Sequence, residues 1–351
     1  MTTSPILADL GWTPDFLRQL DLDEIGTTTA ARVTGVHRSR IEALSADGPL
    51  DLTPASTLNT SYVAVGDWLV ARDGIALRVL ERRSELARKA AGTGVARQLI
   101  AANVDCALIT SSCNADFNPG RLERYLVLCA QAGIIPVLVL TKADTCPDPE
   151  SYAAQGRALS RGLAVVTLNA KDPQAVRDGL ADWCRKGQTV VLLGSSGVGK
   201  TTLSNALTGG AQAVQDIRED DAKGRHTTTA RYLVAMSQGG WLIDTPGVRE
   251  LQLTDVAEGI DALFDDLTET AAACRFSDCK HEREPGCAIR AGIEAGSIDP
   301  ARLARWQKLL REDRHNSETI HEAHQRNRAL GKMHRKIQDK RKLPGVARDW
   351  D

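Results

Sequence analysis

The chain has 351 residues, 42% of them hydrophobic, with a formal net charge of −1. That length supports two or three domains with a sizeable core, and the near-neutral balance excludes a uniformly basic nucleic-acid-binding protein. Aromatic residues are only 4%, which argues against a broad base-stacking surface, and apolar runs such as "IIPVLVL" are far shorter than a membrane span.

The N-terminus, "MTTSPILADLGW", has neither a basic start nor an apolar h-region, so it does not read as a signal peptide. Five of the eight cysteines (Cys106, Cys113, Cys129, Cys146 and Cys184) are scattered singly. That distribution suits a reducing compartment, so a cytoplasmic location is expected. Residues 1–25 form an N-terminal extension in which Leu7, Leu10, Trp12, Phe16, Leu17 and Leu20 suggest a short amphipathic helix.

Over residues 26–85 the pattern changes to short β-like pieces, "ARVTGVH", "RIEALSA", "YVAVGDWLVA" and "IALRVLE", separated by "DGP" and "DG" turn signals. A small barrel is expected, with an oligonucleotide-binding (OB) fold the leading candidate, although other small barrels share this pattern. Residues 86–102, within "ERRSELARKAAGTG" and beyond, read as a charged linker.

Residues 103–266 alternate apolar strands with helical stretches. The predicted strands are "DCALIT", "IIPVLVL", "LAVVTL", "TVVLL" and "GWLID", and "GRLERYLVLCAQAG" has helical spacing with a glycine stop. Such alternation implies a doubly wound parallel sheet that binds ligands beyond the carboxyl ends of its strands.

Within this region "TVVLLGSSGVGKTTLSNAL" runs from strand through G-x-x-x-x-G-K-T into helix. Gly194, Gly197 and Gly199 allow the backbone N–H groups of Ser195, Ser196 and Val198 to wrap a phosphate. Lys200 supplies a cation for the β/γ-phosphates, while Thr201, followed by Thr202, opens the helix and offers a hydroxyl to Mg²⁺. "LIDTPG" places Asp244 at a strand end, where it could hold a Mg²⁺-bound water, and Gly247 where its N–H could reach a γ-phosphate.

Base identity comes from "TKAD", Thr141, Lys142, Ala143 and Asp144. The Asp144 carboxylate accepts only, so it suits the N1–H and N2 amine of guanine, donors that adenine lacks. The Lys142 stem can lie along the base. "NAK", Asn169, Ala170 and Lys171, follows the next strand as a second base-contacting loop.

Between phosphate loop and "DTPG" lies "KGRHTTT", residues 223–229, where a switch loop is expected. Thr228 is the favoured Mg²⁺ ligand, with Thr227 the alternative. The residue after "DTPG" is Val248, which cannot orient water, so His226 is the candidate for that role.

Cys274, Cys279, His281 and Cys287, spaced C-x₄-C-x-H-x₅-C, make a closed four-ligand set for structural Zn²⁺. Residues 267–351 are thus a zinc-binding, mostly α domain. Its residues 302–348 contain fourteen Lys/Arg against five Asp/Glu, and this surplus points to an anionic partner.

In this order the barrel, "IAANVD", "TKAD", "GSSGVGKTTLSNAL", "GRHTTT", "DTPGVRE" and the cysteine cluster resemble the circularly permuted GTPases. Within them the chain is similar to the RsgA (YjeQ) family, across most of its length. The resemblance implies a multidomain protein: an OB-fold barrel, a central α/β GTPase domain with its base-reading motifs ahead of the phosphate loop, and a C-terminal zinc domain. It also implies GTP hydrolysis to GDP stimulated by the small ribosomal subunit, contact with its rRNA, a late role in its maturation, and a monomer. This sequence departs from the family pattern in three places. "GTGVARQL" replaces a basic, proline-bearing linker, Asn169 stands where serine is usual, and residues 1–25 lie outside the core pattern. Two other readings stay open: an RNA-binding factor with vestigial hydrolysis, and a phosphate-loop kinase.

Overall fold

The computed structural model describes residues 6–89, 97–210, 231–244, 255–314 and residue 316. Five strands close a barrel: β1 (Thr29–Val36), β2 (Ile41–Ser45), β3 (Gly48–Pro54), β4 (Trp68–Arg72) and β5 (Ile75–Val79). Their order is β1-β2-β3-β5-β4, with β4 returning to β1. Only the β3–β5 pair is parallel, so the β3–β4 connection crosses one end, where Val63 joins the interior core. This is the OB-like barrel expected from the sequence.

The sequence reads "DGP" as a turn, yet β3 begins there. Gly48 makes the turn at φ 125°, and Pro49 is tolerated because β5 pairs with β3 only at Thr53 and Pro54. Strand β4 is buried on both faces. Leu69 and Ala71 belong to the barrel interior, while Trp68 and Val70 pack with the N-terminal segment.

That segment forms a 3₁₀ turn, Leu7–Leu10, and one helical turn, α1 (Pro14–Leu17), so the short amphipathic helix expected there is divided in two. Leu10 and Phe16 are fully buried, and Trp12 meets Trp68 edge-on at 4.8 Å. The buried Arg32 guanidinium donates to the Leu10 carbonyl, to the Asn103 carbonyl at 3.3 Å and to Thr189 Oγ1 at 2.6 Å. One side chain thereby ties N-terminal segment, barrel and central sheet together.

The linker expected over residues 86–102 is instead an antiparallel ribbon of β6 (Glu85–Lys89) and β7 (Arg97–Ala102). Its charges mask the apolar pattern, but Leu86, Ile100, Ala101 and Ala102 are buried.

The central sheet has six strands: β8 (Cys106–Ser112), β9 (Ile135–Thr141), β10 (Ala164–Thr167), β11 (Thr189–Gly194), β12 (Tyr232–Ala235) and β13 (Trp241–Asp244), in the order β10-β9-β8-β11-β13-β12. All pairs are parallel except β12–β13. The edge strand β12 has no counterpart among the predicted strands.

Helices cover both faces. The first core, around Ile109, Leu138 and Leu193, takes α2 (Pro119–Ala132) and α3 (Pro149–Arg157). The second, around Leu108, Val139 and Leu192, takes α4 (Pro173–Leu180) and α5 (Lys200–Thr208). Period-two alternation along each strand divides the two cores.

The chain then continues through α6 (Ala257–Leu263), α7 (Asp265–Ala272), α8 (Ala288–Glu294) and helix α9 over residues 300–314. Helix α6 crosses α2 closely at Gly259, where an added Cβ would lie 2.4 Å from the Val127 carbonyl oxygen. Leu303, Trp306 and Leu309 bury the inner face of α9. Among the described residues, no helix is long and apolar enough to cross a membrane.

Candidate functional site

The carboxyl ends of β8, β9, β10, β11 and β13 share one edge of the sheet, and strand order reverses between β8 and β11. This topological switch point is where an open α/β sheet forms its ligand crevice.

Strand β11 ends at Gly194 with φ 143°, and a Cβ there would lie 2.3 Å from the Thr110 carbonyl oxygen. Only glycine lets β11 stay beside β8. Ser196 and Gly197 are exposed at the tip of the loop, whereas Val198 anchors it in the core. Gly199, at φ 97°, leads into α5, whose start has no side-chain cap. A helix start that carries no side-chain cap from its own N-cap residue is suited to phosphate. The Lys200 ammonium donates to the Gly194 carbonyl at 2.8 Å and to the Ser195 carbonyl. Thr201 and Thr202 are exposed on the first turn.

The base-reading segment lies against this loop. Thr141 is buried, and its hydroxyl contacts the Val198 carbonyl at 2.6 Å and the Ser111 carbonyl at 3.1 Å. Lys142 adopts φ 58°, which turns the chain into a 3₁₀ turn at Ala143–Thr145 and leaves Asp144 exposed. The second loop sits level with it, because Leu140 is in register with Thr167 and its carbonyl accepts from the Leu168 N–H at 2.9 Å. Asn169 Oδ1 accepts from the Lys171 N–H at 2.9 Å, Ala170 is buried and Lys171 is exposed. Asparagine can build this side-chain-to-backbone turn, which accounts for its tolerance there.

Asp244 is the last residue of β13, beside β11. Gly247, Thr227, Thr228 and His226 lie outside the described residues. Thr201, on the first turn of α5, and Asp244, at the end of the neighbouring strand β13, are residue types that suit Mg²⁺.

Sequence reasoning missed the contribution of β8 and α2. Arg121 donates to Ser195 Oγ at 2.6 Å. The available signal was topological, since β8 lies between the two motif-bearing strands and its following loop must border both.

Below α2, Cys274, Cys279, His281 and Cys287 converge, with all ligand atoms within 4.8 Å of one another. Cys274 Sγ lies 3.9 Å from Cys287 Sγ, and His281 Nδ1 lies 3.7 and 3.5 Å from those two sulfurs. Tetrahedral zinc, with bonds of about 2.3 Å to sulfur and 2.0 Å to nitrogen, separates sulfurs by about 3.8 Å and sulfur from nitrogen by about 3.5 Å. The cluster is thus consistent with a zinc site. Burial would raise the Cys274 thiol, but N–H groups of Ala288 and Ile289 at the start of α8 hold it below its ordinary value. Desolvation, with neighbouring sulfurs, pushes Cys279 up to about 11. Burial lowers His281, favouring the neutral imidazole that binds metal.

Residues 79–254 match the family model of the RsgA GTPase. Residues 180–342 also match the ABC transporter model, a span that takes in the phosphate loop. The small ribosomal subunit biogenesis GTPase RsgA of Mesorhizobium japonicum is 52% identical over 321 residues, covering 90% of this chain and 92% of that protein. RsgA 2 of Vibrio parahaemolyticus is 46% identical over 345 residues, covering 97% and 96%. Among solved structures, YjeQ from Thermotoga maritima superposes with a TM-score of 0.62 at 23% identity, covering 81% of this chain and 98% of its own. YloQ, described as a circularly permuted GTPase, superposes with 0.58 at 25% identity, covering 82% and 95%.

Proposed function

The chain belongs to the RsgA GTPase family and is a GTP hydrolase, and from that premise we propose that it acts late in biogenesis of the small ribosomal subunit. The observation that carries the nucleotide half of this reading is the seating of "TKAD" on the phosphate loop through Thr141 and Val198. The names of its relatives support the ribosomal half. In this reading Asp144 accepts from guanine, Lys142 and Asn169–Lys171 flank the base, and Gly194–Thr202 wrap the phosphates.

Thr201, Thr228 and Asp244 would hold Mg²⁺, which when bound neutralises charge on the phosphates. Gly247 donates its N–H to the γ-phosphate, and His226 orients the attacking water once the subunit has moved the switch loop into place. Hydrolysis to GDP and phosphate then loosens both switch segments and releases the protein from the subunit. Cys274, Cys279, His281 and Cys287 hold one structural Zn²⁺, and the protein works as a cytoplasmic monomer.

The rRNA contacts fall to the flanking domains. A groove of about 700 Å³ on the barrel, lined in part by Asn59 and Tyr62, offers an amide and an aromatic ring to a single strand, while Arg78 and Arg82 on its wall are paired with Glu24 and with Asp67 and Glu85. The basic C-terminal residues add phosphate contacts. Phosphate release from GTP and from ATP, each with and without small subunits, tests the assignment. We expect release from GTP and not from ATP, stimulated by subunits, with the stimulated part lowered in His226→Ala at nearly unchanged GTP affinity. Equal release from ATP would point to a different phosphate-loop enzyme, and no stimulation to an RNA-binding factor with vestigial hydrolysis.

A further inference from the structure

Helix α2 touches the phosphate loop at its start and the C-terminal helix α9 along its side. Asn118 caps it, accepting from the Arg121 N–H at 3.0 Å. From this first turn the Arg121 guanidinium reaches Ser195 Oγ at 2.6 Å. Arg121 is exposed, and among the described residues it has no carboxylate partner.

Two residues on, Glu123 is fully buried, and both its oxygens accept from Arg305 Nε, at 2.8 and 2.9 Å. Arg302 stands 4.0 Å from the same carboxylate and pairs with Asp266 at 2.8 Å. Arg124 extends the seam by pairing with Glu312 at 2.6 Å. A single turn of α2, residues 121–124, thus carries the phosphate-loop contact and the ion pairs that dock α9.

We propose that Arg121 is a positioning residue for GTP binding, and that through this turn it makes nucleotide affinity depend on how α9 is docked. The same Ser195 whose hydroxyl Arg121 holds also presents its carbonyl to Lys200, so displacing Ser195 displaces the ammonium meant for the phosphates. A helical turn is stiff, and a shift imposed on Glu123 or Arg124 is carried to Arg121. A partner that reorients α9 would thereby tune the nucleotide site from outside it. This inference rests on reading residues 194–201 as the phosphate loop.

The test uses the full zinc-loaded chain and fluorescent GDP and a GTP analogue. Arg121→Ala and Ser195→Ala should each weaken GTP-analogue affinity about fivefold, the net effect of one solvent-exposed hydrogen bond. The double variant should be no worse, and Arg121→Lys, which still donates, should recover much of the loss. Glu312→Gln should change affinity in the wild-type background and leave it unchanged in Arg121→Ala. Thermal melting of each variant separates misfolding from loss of binding. Unaltered affinity in Arg121→Ala, additive losses in the double variant, or an equal Glu312→Gln effect in both backgrounds would overturn the proposal. Absence of any guanine-nucleotide binding by the wild-type chain would overturn the phosphate-loop reading and this inference with it.

Discussion

The hydroxyl of Thr141, at the end of β9, lies 2.6 Å from the Val198 carbonyl of the phosphate loop, 57 residues further along the chain. It also lies 3.1 Å from the Ser111 carbonyl at the end of β8. One buried hydroxyl, with a single proton to share between these acceptors, therefore pins two strand ends and the phosphate loop together. The base reader and the phosphate cradle form one unit whichever of them the chain meets first. Permutation changes their order in the sequence while leaving this contact possible.

Thr141→Val keeps the shape and removes the donor. The buried carbonyl that accepts its proton then loses that partner, at a cost of ~1–3 kcal/mol in stability. Affinity for GDP should fall about tenfold as the loop loosens, while Thr141→Ser should retain most of both. Thermal melts with and without GDP, together with a GDP titration, check this. Wild-type affinity in Thr141→Val would mean that the loop holds its shape without that bond.

The motifs were legible because each depends on local spacing: glycines at loop positions, a carboxylate after a buried strand, four soft ligands in fourteen residues. The parallel sheet was legible for the same reason, its strands being continuous apolar runs. What escaped is non-local or charge-masked. Strand β6, "ELARK", reads as a charged stretch, since Leu86 is its one large apolar residue. Strand β12 has four residues and takes its identity from pairing with β13. Arg121 looks like any helix-surface arginine until the fold brings Ser195 to it, 74 positions away. The embedding of the N-terminal segment turns on Arg32, whose partners come from three separate regions.

Removing zinc should unfold the C-terminal loop without emptying the nucleotide site. Trp306 lies 5.8 Å from the His281 ring, so its fluorescence reports on that loop. Zinc content near one per chain is expected, and a strong chelator should shift Trp306 emission and lower the melting temperature. In Cys287→Ser GDP affinity should change little, because Thr141 still pins the phosphate loop and the Arg305–Glu123 and Arg124–Glu312 pairs still dock α9 on α2. Metal-free protein with wild-type melting would remove the structural role for the ion.

The Arg78 guanidinium grips Glu24 with two hydrogen bonds, at 3.0 and 2.6 Å, fastening the N-terminal segment to β5. These bonds from Arg78, helped by the Asp21 N–H, hold the Glu24 carboxyl below the usual carboxylate range against the opposing effect of burial. A lowered folded-state value means the stabilisation is present above the ordinary carboxylate pKa and is lost as pH falls through the folded one. Glu24→Gln should therefore cost up to about 1 kcal/mol at neutral pH. The gap from wild type should close as pH falls below the ordinary carboxylate range and through that lowered value. Denaturant melts of the two proteins at several pH values test this, and a gap constant with pH would assign the loss to packing.

Guanine selection rests on Asp144, exposed on the 3₁₀ turn that Lys142 opens by its φ of 58°. A carboxylate offers only acceptors, matching the N1–H and N2 amine of guanine. Asparagine at this position offers one acceptor and an amide donor instead. The donor opposes the guanine amine but suits xanthine, whose C2 carbonyl accepts. Asp144→Asn should therefore lose GTP affinity by about 100-fold or more, as expected when a site built for a hydrogen bond meets the wrong partner. It should bind xanthosine triphosphate better than GTP, with the Thr141–Val198 bond and the melting temperature unaffected. Competition of labelled GDP by GTP, ATP and xanthosine triphosphate decides the matter. If Asp144→Asn keeps wild-type preference for GTP, the base is read elsewhere, and the exposed turn after β9 is an ordinary surface loop.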